Sequence, residues 1–393
     1  MNTSLKNQKL AASAARAVTA KNFVKKPLIL ALAALALSAT AVPAFATDWW
    51  TAMPKTVLGT TTVEVRNMGA LGDGVHDDTA AFQAAINSLP ATGGTVHVTA
   101  GRYMIDAYKS IRMHSHTRLW LDDGAELDVI PNNQAWTYVV RVWNVTDVRI
   151  VGGSMVGDRY KHLGTSGEWG MGVSILGSKN VVVKGTKFSS FWGDGIYVGA
   201  QGSGSSINRS DYITIDGVVS DSNRRQGMSI TPAQHVYVRN STFSNTIGTL
   251  PEAGIDIEPQ TQGPTNTIRL EGNTFSGNHG NGIEMHTNIS DITIVNNKMT
   301  GNRGFGTLSV SSGGQTITGN TMTQNGLAAV GATGTANHIA ITNNTLQFNS
   351  TRYMSPTTAG GGLDRDLQIG TNTTAISVSG NIFSNPKYNT YTR

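Results

Sequence analysis

Acidic side chains crowd one short stretch of this chain. Glu252, Asp256 and Glu258 fall within the nine residues EAGIDIEPQ, numbered 252–260, in a protein of 393 residues of which only 14% are charged. A fourth acid and a histidine, Glu284 and His286, follow in GIEMHT, and Arg224, Arg225 and Gln226 precede the stretch in RRQGMSIT. Carboxyl groups held close to one another are forced to split their pKa values. The pair then supplies the acid and the base, or the acid and the nucleophile, used to cleave a glycosidic bond. That reading requires the acids to share one face of one structure.

The glycines provide the register. Gly172 in GMGVSILG, Gly195 in GDGIYVGA, Gly227 in RRQGMSIT, Gly254 in EAGIDIEP and Gly282 in GNGIEMHT each lead a short run with alternating apolar residues. Side chains of a strand point alternately to its two faces. The inward set is then Val173 and Ile175, Ile196 and Val198, Met228 and Ile230, Ile255 and Ile257, Ile283 and Met285, all apolar. The outward set forms one column of Ser174, Tyr197, Ser229, Asp256 and Glu284, and a second of Gly199, Thr231, Glu258 and His286. Neighbouring strands lie about 4.8 Å apart and alternate residues about 6.6 Å apart. Asp256, Glu258, Glu284 and His286 therefore form a compact square. Asp256, Glu258 and Glu284 are the candidate catalytic residues. Arg224, Arg225, Gln226, Glu252, Asp194, Tyr197 and His286 rim the square as candidate substrate-binding groups, and Trp169 and Trp192 offer faces for sugar rings.

Such stacking requires a solenoid, and the chain repeats as one. NSTFSN from 240, NTFSGN from 273, NKMTGN from 297, NTMTQN from 320, NTLQFN from 344 and NIFSN from 381 start 33, 24, 23, 24 and 37 residues apart. A period near 24 with insertions marks a repeat architecture. Short alternating strands precede each segment (VYVRNS, IRLEGN, ITIVNN, IAITNN), and no helix follows as in leucine-rich repeats. The expected fold is all-β: a single-stranded parallel β-helix in which each coil covers only its neighbours, with the asparagines stacked as amide ladders.

The N-terminal part departs from the repeat. In GALGDGVHDDTAAFQAAI, Asp78 is placed to cap a helix from about Thr79 to Leu89, and GGTVHVTAGRYMI reads as two strands around a turn. These two segments, with the repeats behind them, resemble the pectate lyase superfamily, in the group that includes polygalacturonase-like enzymes and phage tailspikes. The resemblance covers about 57 to 393. It implies a right-handed parallel β-helix with an N-terminal capping helix, residues 57–105 forming the cap and first coils. It also implies that Asp73, Asp77 and Asp78 shape turns rather than do chemistry. It does not specify the reaction, because lyases, hydrolases, epimerases and binding proteins share the fold.

Residues 1–46 read as a secretion signal that is removed. Lys21, Lys25 and Lys26 flank the apolar PLILALAALALSATAV, and AFA at 44–46 is a small-x-small cleavage site. Six of the 30 basic residues lie in this segment with no acid, so the 24 left face 25 acids and the formal charge turns from +5 to about −1. The mature domain, 47–393, thus has no electrostatic case for nucleic acid or for a membrane surface, and a secreted or periplasmic location is expected. Cysteine is absent, so stability must come from a long regular core rather than disulfides.

Three functions fit. The first is hydrolysis of a polysaccharide by the acid cluster. The second is a lyase or epimerase on a uronic acid polymer, with Arg225 and His286 beside the reacting carbon. The third is a non-catalytic, adhesive β-helix. Two structural readings of the acids stand beside these: ion pairs from Arg225 to Glu252 or Asp256, and a calcium site. No cofactor is required. The Asn-Thr-Asp, Asp-Asp, Gly-His-Gly and Arg-Ile-Lys segments expected of polygalacturonases are missing beyond a GDG fragment at 193–195, which puts pectin in doubt. Lys161, His162 and Glu168, in DRYKHLGTSGEWG, belong to an insertion that either walls a groove or forms a plain surface loop.

Overall fold

The computed structural model of the protein describes residues 48–259, 262–351 and 365–383; the secretion-signal reading of 1–46 lies outside them. From about residue 170 each coil has three strands. A long strand such as Thr265–Glu271 is followed by a short one, Thr274–Ser276, and then by the glycine-led strand, Ile283–Met285. Each pairs in parallel with its counterpart one coil on, Thr265 with Ile289, Thr274 with Lys298 and Ile283 with Thr307. The ten residues expected inside the glycine-led strands are all fully buried. Phe188, Phe243, Phe275, Met299, Met322 and Leu346 fill the core from the short strands, and Phe243 stacks on Phe275 at 5.5 Å.

Glycine leads the third strand for a steric reason. A Cβ on Gly227 would lie 2.5 Å from the Gly254 carbonyl oxygen, one on Gly254 2.7 Å from that of Gly282, and one on Gly282 2.5 Å from that of Gly306. The coils meet backbone to backbone along this column, so no side chain fits.

Asparagine marks the turns on either side of the short strand. In Asn296-Asn297, Gly319-Asn320 and Asn343-Asn344 the first residue takes the left-handed conformation, with φ of 55°, 67° and 55°, which Gly and Asn adopt most readily. The second residue then points inward. Asn297 Nδ2 donates to the Leu270 carbonyl at 2.9 Å and to Asn320 Oδ1 at 3.0 Å, and its own Oδ1 accepts from the backbone and side-chain nitrogens of Asn273. The same bonds continue through Asn344 to Asn381. A second ladder runs through Asn278, Asn302, Asn325 and Asn349. All of these amides except that of Asn381 are buried, and each satisfies a turn that would otherwise leave backbone groups unpaired.

The helix spans Thr79–Asn87 and buries Phe82, Ala85 and Ile86 at the N-terminal end of the core. Its cap differs from expectation. Asp77 Oδ1 accepts from the Thr79 backbone nitrogen at 3.0 Å. Asp78 instead turns back to accept from the nitrogens of Leu71 and Gly72, and Asp73 accepts from those of Val75 and His76. All three acids are thus occupied with turns. Among the described residues no helix is long and apolar enough to cross a membrane.

The ladders carry a stability prediction. Asn297→Ala strips four bonds from buried partners and is expected to lower the unfolding free energy by about 3 kcal/mol or more. Lys298→Ala, at the exposed next position, is expected to change it by under about 0.5 kcal/mol. Urea unfolding of the two variants measures the difference.

Candidate functional site

The glycine-led strands carry the acids as a stack. Tyr197 pairs with Ser229, Ser229 with Asp256, and Asp256 with Glu284. Beyond the strand ends the ladder continues by one bond, from the Glu258 nitrogen to the Ile230 carbonyl and from the His286 nitrogen to the Ile257 carbonyl, both 3.0 Å. The expected square therefore forms. Its repulsion is relieved by the histidine: His286 Nε2 stands 3.4 Å from Asp256 Oδ1 and 3.3 Å from Glu284 Oε1. Asn281 donates to the other oxygen of Glu284 at 2.7 Å.

Asp256 is 1% exposed. Gln226 Nε2 donates to its Oδ2 at 3.0 Å, while Oδ1 is buried without a hydrogen bond. Burial pushes this carboxyl up to about 6. His286 opposes the rise, and the charges of Glu284 and Glu258 add to it. The contacts with Asp256 and Glu284 outweigh partial burial at His286 and hold the imidazolium up to about 10. Between these values the pair is a carboxylate facing a cation, and below about 6 Asp256 takes a proton.

A second buried network abuts the first. Arg225 Nη1 reaches Asp194 Oδ2 at 3.2 Å, Arg225 Nε lies 3.7 Å from Glu168, and Ser229 donates to Asp194 at 2.7 Å. Burial raises the Asp194 carboxyl above its ordinary range against the pull of Arg225. The ion pairs read from sequence, Arg225 with Glu252 or Asp256, are thus replaced by pairs with Asp194 and Glu168. Asp256 is held by His286 and Gln226, and Glu284 by His286 and Asn281. Among the described residues no three His, Asp or Glu side chains converge as a calcium site would require.

The two networks floor a cavity of about 330 Å³ lined by Glu168, Trp169, Tyr197, Arg225, Ser229, Thr231, Asp256, Glu258 and Gln262. Asp256, Glu258, Arg225, Tyr197 and Trp169 from the sequence reading meet there, and Glu284 and His286 brace Asp256 from one coil on. Other assignments change. Asp194 and Gln226 are fully buried, so they position Arg225 and Asp256 and cannot grip a substrate. Trp192 is covered on both faces, by His162 at 4.0 Å and by the Arg224 guanidinium at 3.7 Å, and offers no platform. Arg224 faces a smaller neighbouring cavity with Glu168 and Thr249. Glu252 closes a turn, accepting from the Gly248 nitrogen at 2.6 Å beside His279. The residues that sequence reasoning missed, Asn281, Gln262 and Trp136, come from irregular segments or upper coils, except that Asn281 lies three residues before Glu284. The 158–170 insertion does wall the groove, through Glu168 and Trp169.

Comparison with known proteins places the fold in a family. The chain is 30% identical over 280 residues to the uncharacterized protein YclG of Bacillus subtilis, a match covering 64% of this chain and 47% of the relative. The chain spans about half the length of the curated relatives it matches. Among solved structures, the adhesin PfbA of Streptococcus pneumoniae superposes with a TM-score of 0.67 at 18% identity, over 84% of this chain and 99% of that one. The A-module of the mannuronan C-5 epimerase AlgE6 of Azotobacter vinelandii gives 0.65 at 17%, over 84% and 97%. Both likenesses are of fold. The family model described as the right handed beta helix region matches residues 171–346 and 246–390, more than half of the chain, and the protein belongs to that family.

Proposed function

We propose that the chain is a secreted carbohydrate-active enzyme that hydrolyses glycosidic bonds of a polysaccharide lying on the glycine-led face. One observation carries this reading: a buried carboxyl raised to about 6, Asp256, shares a cavity with a second carboxyl, Glu258. Two carboxyls whose environments push their pKa values apart are the acid and its partner in glycoside cleavage. Asp256, which lines the cavity, gives its proton to the leaving glycosidic oxygen as the C–O bond breaks. Glu258 acts as nucleophile, or takes the proton of the attacking water. Glu284 holds His286 in place, and His286 stabilises the carboxylate that Asp256 becomes. Trp169 presents an aromatic wall to a sugar ring. The secretion signal expected at 1–46 agrees with a substrate outside the cytoplasm.

The charge of the cavity supports hydrolysis of an uncharged sugar. Glu168, Asp256 and Glu258 line it against Arg225, with Asp194 paired to Arg225 and Glu284 to His286 behind them. A uronate at the scissile position would meet net negative charge. The second reading, a lyase or epimerase on a uronate polymer, rests on Arg225, which lines the cavity as a cation for a substrate carboxylate and on the fold shared with a mannuronan epimerase. There Asp256 would serve as the base.

The pH profile separates them. An acid must hold its proton, so kcat/KM of the hydrolase is expected to fall as pH rises through about 6. A base must have lost it, so a profile that rises through the same value overturns the hydrolase. Reducing ends released from a panel of polysaccharides, with ultraviolet absorbance to detect unsaturated lyase products, provide the readout.

Asp256→Asn is expected to reduce turnover roughly 10²–10⁴-fold without loss of stability. The sign follows from the raised pKa. The native state keeps a proton that the unfolded chain releases, so this stabilisation is present below about pH 4 and lost as pH rises through about 6. Thermal melts should show the wild type losing roughly 3 kcal/mol relative to the variant between these limits. A variant that melts well below the wild type at neutral pH would show that the Asp256 charge is needed for folding.

A further inference from the structure

Four coils toward the N-terminus from Asp256, the same outward column carries two arginines. Arg112 pairs with Arg141, Arg141 with Ser174, Ser174 with Tyr197, Tyr197 with Ser229, and Ser229 with Asp256. The four steps from Arg141 to Asp256 span about 19 Å at the usual strand spacing. Two cations at adjacent positions repel, as the stacked acids do. The acids have His286 between them, but here no opposite charge intervenes. The titratable groups acting on Arg141 are Tyr138, Arg112 and Tyr108, and among the described residues neither Arg112 nor Arg141 forms an ion pair.

Arg141 is half-buried nonetheless. Its guanidinium lies 5.1 Å from the Tyr138 ring centre and 4.6 Å from that of Trp143. Its Nη2 donates to the Tyr108 carbonyl at 3.3 Å, and its Nε is buried with no hydrogen bond at all. An unused donor on a buried cation is costly, and a serine or threonine would serve the fold at lower cost. A cavity of about 230 Å³ is lined by Trp136, Tyr138, Trp169, Ser174, Tyr197 and others, and so reaches Tyr138 and Ser174, two neighbours of Arg141. It shares Trp169, Tyr197 and Gln262 with the acidic cavity, so the two adjoin. Trp136, 52% exposed, stacks on Trp169 at 3.9 Å and floors the passage.

We propose that Arg112 and Arg141 form a subsite for a carboxylated sugar, several sugar units from the acid cluster along one glycan chain. Guanidinium groups match a planar carboxylate as a fork, and the surrounding rings accept the faces of the neighbouring sugars. The acidic cavity repels the same carboxylate, so the charge belongs at this end and uncharged sugars at the other. The polymer that satisfies both ends is a heteropolysaccharide with neutral sugars between spaced acidic ones, rather than a continuous polyuronate. This inference extends the hydrolase reading, but the binding it asserts does not require cleavage.

The test is calorimetric titration of the full mature chain carrying Asp256→Asn, which removes turnover. The probes are glucuronate-containing oligosaccharides of gellan, xanthan and hyaluronan, each beside its carboxyl-reduced counterpart. At least one acidic probe is expected to bind about tenfold or more tighter than its reduced form, and to lose that advantage on raising salt. Arg141→Gln, and separately the exposed Arg112→Gln, should abolish the advantage while leaving the affinity for the reduced form unchanged. Equal affinity for the two forms, an equal loss of both in the arginine variants, or no binding by any acidic probe overturns the subsite. Binding with these properties by a wild-type chain that cleaves nothing would leave the subsite standing and remove the hydrolase.

Discussion

Every feature of this protein follows from coil stacking in parallel register. Each strand hydrogen-bonds to its counterpart one coil away, at about 4.8 Å, so a residue at a given position always lies over the residue at the same position in the next coil. Whatever one coil places there, its neighbours must tolerate. Glycine recurs at the head of the third strand because any Cβ there would strike the next carbonyl. Asparagine recurs at the turns because one amide both donates and accepts, and so satisfies itself along an indefinite stack. Phenylalanine, methionine and leucine recur in the short strand because they fill the same core space repeatedly.

The same constraint makes charge expensive. An ionised residue in a column faces its own kind unless the next coil differs. Asp256 over Glu284 breaks that economy, and the fold answers with His286, within 3.4 Å of both acids. Asp194 is answered by Arg225 and Ser229. These two answers meet on one face and nowhere along the neutral ladders of the later coils, where the corresponding outward positions carry Leu308, Gly331 and Gln368. Cost concentrated in two or three coils, beside a cavity, marks a functional surface.

How far the sequence revealed this depends on periodicity. Residues in the repeat were legible: the inward Ile255 and Ile257, the outward Asp256 and Glu284, and the amide ladders all follow from aligning glycines and asparagines. Residues whose role depends on a side-chain rotamer or on an irregular loop were not. Alignment puts His286 beside Glu258, but only the rotamer turns it between Asp256 and Glu284. Trp192 looked like a sugar platform until the 158–170 insertion laid His162 on one face and Arg224 packed on the other. Asp77 and Asp78 are both good caps by type, and the path of the Leu71–Gly72 turn decides which of them serves.

A fold shared by an adhesin and an epimerase module cannot itself specify chemistry. What distinguishes one β-helix from another is the sequence of outward residues down a single column, because that column meets an extended ligand unit by unit. Here the column runs Arg112, Arg141, Ser174, Tyr197, Ser229, Asp256, Glu284. It is cationic at one end, aromatic and hydroxylic in the middle, and acidic at the other. An adhesive surface needs affinity along its length, and a buried acid raised to about 6, Asp256, adds nothing to affinity for sugar hydroxyls. It does add a proton that can be given up near neutrality. The gradient accords with a ligand that is oriented as well as bound, as the proposed hydrolysis at Asp256 and Glu258 requires.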